Sequence, residues 1–323
     1  MTDDDIIKLS MTVLYVITMI IALAGNTLLI YIVWKKREAR NLTSFLFVNM
    51  AVADLMVAVF QMPVSITHFY LYGSSELDIF NCRFLYYAFY VSATASISCL
   101  TVMAFDRYFA VVHPFRRSIW FRKPKIIMPI IWTSSAALMS IVPVAFKLIQ
   151  GKCTIELSLV LPFYAYFFAV GFLLPLAVIS VLYTKVARKL WLHEVPVDHN
   201  VSGSQRELEI PKKNVIRMLI IVVVVFAVCW LPIHVYQMHA GLALGLRGFW
   251  ESWDPHVLIY ICYWLSNANS AINPWLYISL NGKMKAAFKN MILCRHERIT
   301  GPRQVALTSN RRSRLRPKKS SML

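Results

Sequence analysis

Seven apolar stretches of about 20 or more residues run through the chain, separated by polar segments. A stretch of that length can cross the hydrocarbon core of a bilayer, about 30 Å thick, as an α-helix. Because backbone groups in lipid must be hydrogen-bonded within their own segment, the predicted fold class is an all-α membrane protein with a seven-helix bundle. The predicted spans are Met11–Trp34, Thr43–Phe69, Cys82–Val112, Lys125–Ile149, Leu159–Trp191, Lys212–Gly241 and His256–Leu280.

The distribution of charge favours a membrane protein over a nucleic-acid-binding one. A net charge of +18 would suggest nucleic acid as the partner of a soluble protein. However, 58% of the 323 residues are hydrophobic and only 15% are charged, against about 25% in soluble domains. With the N-terminus outside, 29 of the 34 Lys and Arg residues fall in the inner loops and tail. This positive-inside pattern predicts an extracellular N-terminus, a cytoplasmic C-terminus and contact with inner-leaflet lipid, and no nucleic acid partner is expected.

The segments outside the spans predict one domain and a tail. The first span has no cleavage site before it and is expected to act as an uncleaved anchor. The inner loop His193–Pro211 is predicted to be flexible. Residues Lys283–Ile292 alternate Lys with apolar side chains, which predicts an amphipathic helix on the inner leaflet. Residues 1–292 are therefore assigned to one domain, and residues 293–323 to a basic, disordered cytoplasmic tail.

Two cysteines fall at the outer edge of the predicted bundle. The outer side of a cell membrane is oxidising, so Cys82 and Cys153 form the predicted disulfide, between the third span and the second outer loop. The cysteines within spans are expected to be small core residues. Cys294 follows the amphipathic helix, at a position common for reversible palmitoylation.

Charged and polar motifs close two of the spans at their inner ends. Asp106-Arg107-Tyr108 ends the third span, and Asn273-Pro274-Trp275-Leu276-Tyr277 lies near the end of the seventh. Such residues are costly in a membrane unless they have a function. The other spans carry Gly25-Asn26, Val52-Ala53-Asp54, Trp132, Pro175 and Cys229-Trp230-Leu231-Pro232. Together the motifs resemble the rhodopsin-like family of G-protein-coupled receptors, which implies a sensor whose output is a helix movement.

The resemblance implies an activation switch at the inner end. At rest Asp106 is expected to pair with Arg107, and on activation Arg107 is expected to swing toward Tyr183 and Tyr277 and meet the G protein. Many relatives hold this Arg with a Glu at the base of the sixth span. Here that position is Lys212, so a resting state with higher basal activity is expected.

Further switch residues are implied by the same resemblance. Pro175, Ile97 and Phe226 match the family's central packing trio, and Pro232 is the expected pivot for outward movement of the sixth span. Phe115, on the second inner loop, is a candidate apolar contact for a G protein, or alternatively rests on the inner leaflet.

A carboxylate in the middle of the second span needs a partner. In the family the residue that matches Asp54 holds a sodium ion together with residues that match Ser96, Asn269 and Asn273, beneath Trp230. Hard oxygen ligands suit a hard cation, and the four-residue spacing of the two asparagines places them on one helix face. The ion is expected to stabilise the resting state; the alternative is a water-filled polar cavity with no specific ion.

The ligand pocket is expected in the outer half, between the third, fifth, sixth and seventh spans. Helical spacing selects the inward-facing side chains, among which Tyr263, Asn267 and Ser270 follow one another at i, i+4 and i+7 on the seventh span. The predicted ligand-binding residues are Gln61, Phe89, Tyr90, Ala93, Glu156, Phe167, His234, Gln237, Tyr263 and Asn267. Phe89 stands where amine receptors carry an Asp, and Asn267 where opsins carry the Schiff-base Lys, so neither a monoamine nor covalently linked retinal is expected.

A neuropeptide is the leading ligand class. Gln61-Met62-Pro63, His234 and Gln237 resemble neuropeptide Y, tachykinin and RF-amide receptors. The outer segments carry eight acids against five basic residues, which favours a cationic peptide by steering. The alternatives are a receptor for a small lipid or amine-like ligand, and a ligand-binding receptor that does not signal.

Other function classes lack their motifs. The sequence has no His-Glu-x-x-His, no Gly-x-Ser-x-Gly and no second acid near Asp54 in the pattern of a paired-carboxylate protease, so an enzyme is not expected. A transporter would carry charge relays along several spans. The expected cytosolic partners are a heterotrimeric G protein and, through the Ser residues of the tail, receptor kinases and arrestin.

Overall fold

The computed structural model describes residues 2–35, 42–70, 79–113, 123–149, 152–192, 203–243 and 255–292. The uninterrupted helices are α1 (Asp3–Lys35), α3 (Ile79–Val112), α6 (Gly203–Ala243), α7 (Pro255–Leu280) and α8 (Gly282–Ile292). α2 joins Leu42–Met56 and Met62–Tyr70 through the π-helical turn Val57–Gln61, and α4 joins Pro124–Leu138 and Val142–Ala145 through the 3-10 turn Met139–Ile141. α5 begins with the 3-10 turn Leu157–Leu159 and joins Val160–Phe168 and Leu174–Leu192 through the π-helical turn Ala169–Leu173. The strands are β1 (Phe146–Ile149) and β2 (Lys152–Ile155).

Within the described parts of the chain, six helices, α1 to α6, are long and apolar enough to cross a membrane. α7 has the length, at 26 residues, but its asparagines lower its hydropathy. Asn267, Asn269 and Asn273 are all buried inside the bundle, so their polarity is not presented to lipid. The predicted all-α membrane bundle is therefore confirmed. α7 is the helix that carries these three buried asparagines.

α3 lies at the centre of the bundle and packs against α2, α4, α5 and α6, while α7 packs against α1, α2 and α6. The approach of α1 to α7 depends on Gly25. A Cβ atom added at Gly25 would lie 2.7 Å from Pro274 Cγ and 3.0 Å from Trp275 Nε1. A side chain at this position would therefore push apart the two helices that carry Asn26 and Asn273.

Prolines account for the two π-helical turns. Pro63 and Pro175 have no N–H to offer the carbonyl four residues earlier, so the hydrogen-bond ladder must shift next to each of them. It does so by one residue: the Met62 N–H bonds the Val57 carbonyl, and the Leu174 N–H bonds the Ala169 carbonyl. The extra residue re-aims the side chains that follow or precede the turn, and π-helical turns often occur at functional sites.

The prediction for the end of the fourth span was wrong. It placed a helix through Ile149, whereas α4 ends at Ala145 and the next four residues form β1, which pairs antiparallel with β2. The apolar residues Phe146 and Ile149 look like a continuation of the span, but their backbone groups bond across the hairpin instead. A short apolar run does not by itself distinguish strand from helix.

Two other boundaries differ from the predicted ones. α1 begins at Asp3, well before Met11, where the first span was predicted to begin. Its first turn has a local cap, in which the Asp5 N–H donates to Thr2 Oγ1 at 3.3 Å. α6 begins at Gly203, within the inner loop predicted to be flexible. The predicted helix after the seventh span is confirmed as α8.

Candidate ligand cavity and activation switch

A hairpin covers one end of the bundle, called here the outer end; the end that carries Arg107 is the inner end. The disulfide Cys82–Cys153 ties β2 to the start of α3, with the two Cα atoms 5.7 Å apart, as the sequence predicted. Arg83 Nε also donates to the Phe146 carbonyl at 3.3 Å. These two links fix the hairpin over α3.

Beneath the hairpin lies a cavity of about 340 Å³. Its lining is aromatic and uncharged among the described residues, and it includes seven tyrosines. The lining residues are Tyr15, Gln61, Val64, Ser65, Tyr86, Phe89, Tyr90, Phe146, Cys153, Thr154, Ile155, Tyr164, Tyr236, Ile259, Tyr260 and Tyr263. Such a cavity suits an apolar or aromatic group that brings its own hydrogen-bond donors or acceptors, since an unpaired charge would be costly to bury there.

Four of the ten predicted ligand-binding residues line this cavity: Gln61, Phe89, Tyr90 and Tyr263. The other six do not: Ala93, Glu156, Phe167, His234, Gln237 and Asn267. Glu156 instead forms an ion pair with Lys147 across the hairpin, and both side chains are largely exposed. The cavity thus lies closer to α1, α2 and α7 than the predicted pocket between the third, fifth, sixth and seventh spans.

A set of unpartnered polar atoms lies on α6. Both ring nitrogens of His234, the Gln237 Oε1 and the Trp230 Nε1 are buried without a hydrogen bond among the described residues. His234 is only 1% exposed and lies against the rings of Phe167 and Phe172, at centroid distances of 5.1 and 4.8 Å. Buried polar groups are normally hydrogen-bonded, so each of these three side chains has a polar atom left available for a further hydrogen bond.

A stack of rings leads from the cavity toward the inner half. Phe89, in the cavity wall, stacks on Trp230 at a centroid distance of 6.0 Å. Trp230 stacks on Phe226 at 5.7 Å, and Phe226 on Phe172 at 6.3 Å. Phe226 and Ile97 of the predicted packing trio are both buried in the core. A shift of Phe89 would therefore be felt at Phe226 through direct ring contacts.

Asp54, the buried acid of α2, has partners from α7. Asp54 is 3% exposed, and its Oδ2 accepts a hydrogen bond from Asn273 Nδ2 at 3.1 Å. Asn273 Nδ2 also lies 3.2 Å from Asn269 Oδ1. Ser270, assigned by helical spacing to the ligand face, lies close to the same carboxylate. Ser96 Oγ is buried without a hydrogen-bond partner among the described residues, which fits an oxygen available to a cation.

At the inner end, Arg107 has two partners. Its Nη2 lies 2.6 Å from Asp106 Oδ2, which is the ion pair that the sequence predicted for the resting state. The same Nη2 donates to Thr43 Oγ1 of α2 at 2.6 Å. Sequence reasoning did not single out Thr43, because a threonine at the start of a span carries no motif.

Neither tyrosine of the predicted switch forms a hydrogen bond with Arg107. The Tyr277 hydroxyl bonds Met50 Sδ at 3.2 Å, and its ring stacks on Phe47 at 4.1 Å. The Tyr183 hydroxyl is buried and has no hydrogen-bond partner among the described residues. This arrangement corresponds to the predicted resting state, in which Arg107 has not yet moved to these tyrosines.

Several predictions fall outside the described residues. Phe115, Cys294 and the tail 293–323 are not among them, and the side chain of Lys212 is not described. Conversely, Tyr15, Ser65 and Tyr260 line the cavity without having been predicted. The fixed helical spacing could have selected Ser65, one turn after Gln61, but nothing in the sequence points α1 toward the ligand.

Comparisons with known proteins all indicate the same family. Residues 25–277 match the family described as 7 transmembrane receptor (rhodopsin family). The chain is 30% identical over 299 residues to the substance-K receptor of Homo sapiens, covering 87% of this chain and 72% of that receptor. It is 30% identical over 313 residues to the QRFP-like peptide receptor of Branchiostoma floridae, covering 91% and 80%. It is 28% identical over 301 residues to the substance-P receptor of Cavia porcellus, covering 87% and 70%.

Proposed function

This chain belongs to the rhodopsin family of seven-transmembrane receptors, and we propose that it binds an extracellular neuropeptide and activates heterotrimeric G proteins. The observation that carries the proposal is the ring stack from Phe89 in the cavity wall, through Trp230, to Phe226 in the core. The stack connects the proposed ligand cavity with α6, the helix that is expected to move.

The chemistry of the cavity supports a peptide whose inserted end is uncharged. The cavity has room for only a terminal segment, and its described lining offers no charged side chain to pair with a carboxylate or an ammonium. Gln61 Oε1, by contrast, is a buried acceptor without a partner among the described residues. An amidated C-terminus supplies N–H donors to such an acceptor without bringing a charge. The relatives are named as substance-K, substance-P and QRFP-like peptide receptors.

The remainder of the peptide stays above the hairpin, where the charge differs. The predicted outer segments carry a net charge of −3, from eight acids and five basic residues. This field attracts cationic peptides and speeds their encounter with the receptor. Receptors for small amines would need an acid in the cavity, and the position where they carry it is Phe89.

Transmission follows the packed core. Displacement of Phe89 by a ligand tilts Trp230 and Phe226, and Pro232, which removes one backbone hydrogen bond from α6, lets the inner end of the helix swing outward. Arg107 then exchanges Asp106 for contacts with Tyr183, Tyr277 and the G protein. Because packed cores have few alternative arrangements, a small outer shift becomes a discrete inner one.

A sodium ion is proposed as an allosteric ligand of the resting state. Asp54 would hold it with the oxygens of Ser96, Asn269 and Asn273, and the buried unpartnered Ser96 Oγ supports this set. Bound there, the ion would balance the Asp54 charge and hold α2, α3 and α7 together. We further assign the chain to the plasma membrane with its N-terminus outside, and its tail to receptor kinases and arrestin.

The test is a screen of the receptor in cells that express promiscuous G proteins. Amidated neuropeptides, monoamines and lipids are applied, with calcium release as the readout and mock-transfected cells as the background. A peptide response that Gln61→Ala weakens by about tenfold supports the proposal, since leaving a buried ligand donor unpaired costs about 1–3 kcal/mol. A response to a lipid or an amine, with silence to every peptide, would refute the peptide assignment.

A further inference from the structure

Three side chains on one face of α2 contact two residues of the predicted switch, Arg107 and Tyr277. Thr43 accepts a hydrogen bond from Arg107 of α3, Phe47 stacks on Tyr277 of α7, and Met50 Sδ accepts a hydrogen bond from the Tyr277 hydroxyl. These α2 residues are spaced i, i+4 and i+7, so they share a single helix face. All three are buried.

We infer that Thr43 is a positioning residue that holds Arg107 in the resting arrangement. In many relatives an acid at the base of the sixth span does this, but this chain has Lys212 at that position, and a cation cannot pair with Arg107. The contact from α2 therefore takes the place of a contact from α6. The inference rests on the proposed receptor function.

The contact is strong for a neutral partner. Hydrogen bonds in which the donor is charged are shorter and about twice as strong as those between neutral groups, and this one measures 2.6 Å. Thr43 is only 8% exposed, so water does not compete freely for the hydroxyl. Asp106 and Thr43 bond the same Nη2 atom, so the two contacts must break together when Arg107 moves.

The inner half of α2 is a firm support for this contact. On another face of the helix, Asn49 Nδ2 contacts Cys99 Sγ of α3 at 3.1 Å, and Asn49 Oδ1 accepts a hydrogen bond from Trp132 Nε1 of α4 at 2.8 Å. α2 is thus anchored to α3 and α4 while it holds Arg107 and Tyr277. Release of the switch then requires loss of the α2 contacts and not movement of α2 itself.

The test removes the hydroxyl and keeps the shape. Thr43→Val in the full-length receptor, purified in lipid nanodiscs, should raise ligand-free nucleotide exchange on added G protein by about threefold or more. The expected shift in the balance between the two arrangements is about tenfold, because a hydrogen bond to a charged group is lost. Thr43→Ser restores the hydroxyl and should return the rate to that of the unmodified receptor.

A matched control separates this role from the loss of any buried hydroxyl. Thr101→Val removes a partly buried hydroxyl whose hydrogen bond, among the described residues, stays within its own helix, to the Ile97 carbonyl 2.9 Å away, and should leave the basal rate unchanged. If the receptor drives measurable nucleotide exchange, equal basal rates for Thr43→Val and the unmodified receptor would overturn the inference. So would an equal rise in Thr101→Val, or a failure of Thr43→Ser to restore the rate.

A second readout does not depend on the G protein. A fluorophore on Arg217→Cys, at an exposed position near the inner end of α6, should report a shifted emission in Thr43→Val without ligand. A shift with no nucleotide exchange in any variant would support the α2 contact and refute the proposed G-protein coupling. Nucleotide exchange without a shift or a basal rise would overturn the α2 contact and leave the proposed function standing.

Discussion

The outer and inner halves of the bundle differ in how their buried polar groups are paired. In the inner half, Arg107 bonds Asp106 and Thr43, and Asp54 bonds Asn273. These charged groups have partners inside the protein, although the Tyr183 hydroxyl and Ser96 Oγ have none among the described residues. The inner half must therefore break contacts of its charged groups to pass from this arrangement to another.

In the outer half the corresponding groups lack partners. Gln61 Oε1, Gln237 Oε1 and both ring nitrogens of His234 are buried without hydrogen bonds among the described residues. Gln61 lines the cavity, so leaving its Oε1 unpaired costs free energy that a ligand can recover. The difference assigns the two halves separate roles: the outer half is completed by a ligand, and the inner half stores the alternative arrangement.

The largest effect is expected from the inner half. Arg107→Ala should lower agonist-stimulated nucleotide exchange by about 100-fold or more, because it removes the charge proposed to contact the G protein, and losing one partner of a desolvated charge pair at an interface costs about 2–5 kcal/mol. Agonist binding and surface expression should stay near those of the unmodified receptor, since Arg107 lies far from the cavity lining. Full exchange activity in this variant would contradict the division between the halves.

An intermediate effect is expected at Asp54, the acid of α2. Couplings between two binding sites are typically about 5- to 150-fold, and sodium should weaken agonist affinity within that range. Asp54→Asn should abolish the sodium effect, measured as agonist affinity in sodium against N-methylglucamine. Unchanged sodium dependence would refute the ion site and favour a water-filled polar cavity.

A smaller effect concerns the packing that holds the halves together. Gly25→Ala should lower the free energy of unfolding by about 1–3 kcal/mol, because its Cβ would meet Pro274 Cγ at 2.7 Å. Gly282→Ala is the control, since nothing lies within 4 Å of a Cβ at that position. Thermal unfolding of the two purified variants compares them, and equal stability would show that α1 and α7 can separate without cost.

The smallest effect is expected at the hairpin. Glu156→Gln should change peptide potency by at most about threefold, because exposed ion pairs contribute about 0–1 kcal/mol and Glu156 is paired with Lys147 outside the cavity. A large loss of potency in a dose–response assay would mean that the peptide reaches Glu156, and that the sequence-based assignment of this residue was right.

The two halves were also unequally predictable from the sequence. Asp106 and Arg107 are adjacent, and Asn269 and Asn273 are one helical turn apart, so short motifs were enough to locate them. Thr43, the partner of Arg107, lies 64 residues away in the chain and carries no motif of its own. The family resemblance supplied the roles of the first four residues and was silent on Thr43.

The outer half depends on features that a helical pattern does not encode. The turn of the chain from α4 into the hairpin decides that Phe146 and Ile155 cover the cavity. Tyr15 of α1 also lines the cavity, and no pattern in the sequence predicts that α1 reaches it. Helical spacing therefore identified inward-facing residues but could not show which of them line the cavity.

Photo-crosslinking of a peptide agonist tests most directly whether the outer half is completed by a peptide. A photoreactive amino acid is placed in turn at Ile259 and Tyr263, which line the cavity, and at Leu157, which is 68% exposed and outside it. Capture of the peptide from Ile259 or Tyr263 and not from Leu157 is the expected result. An agonist that still activates the variants but is captured only from Leu157 would contradict the account.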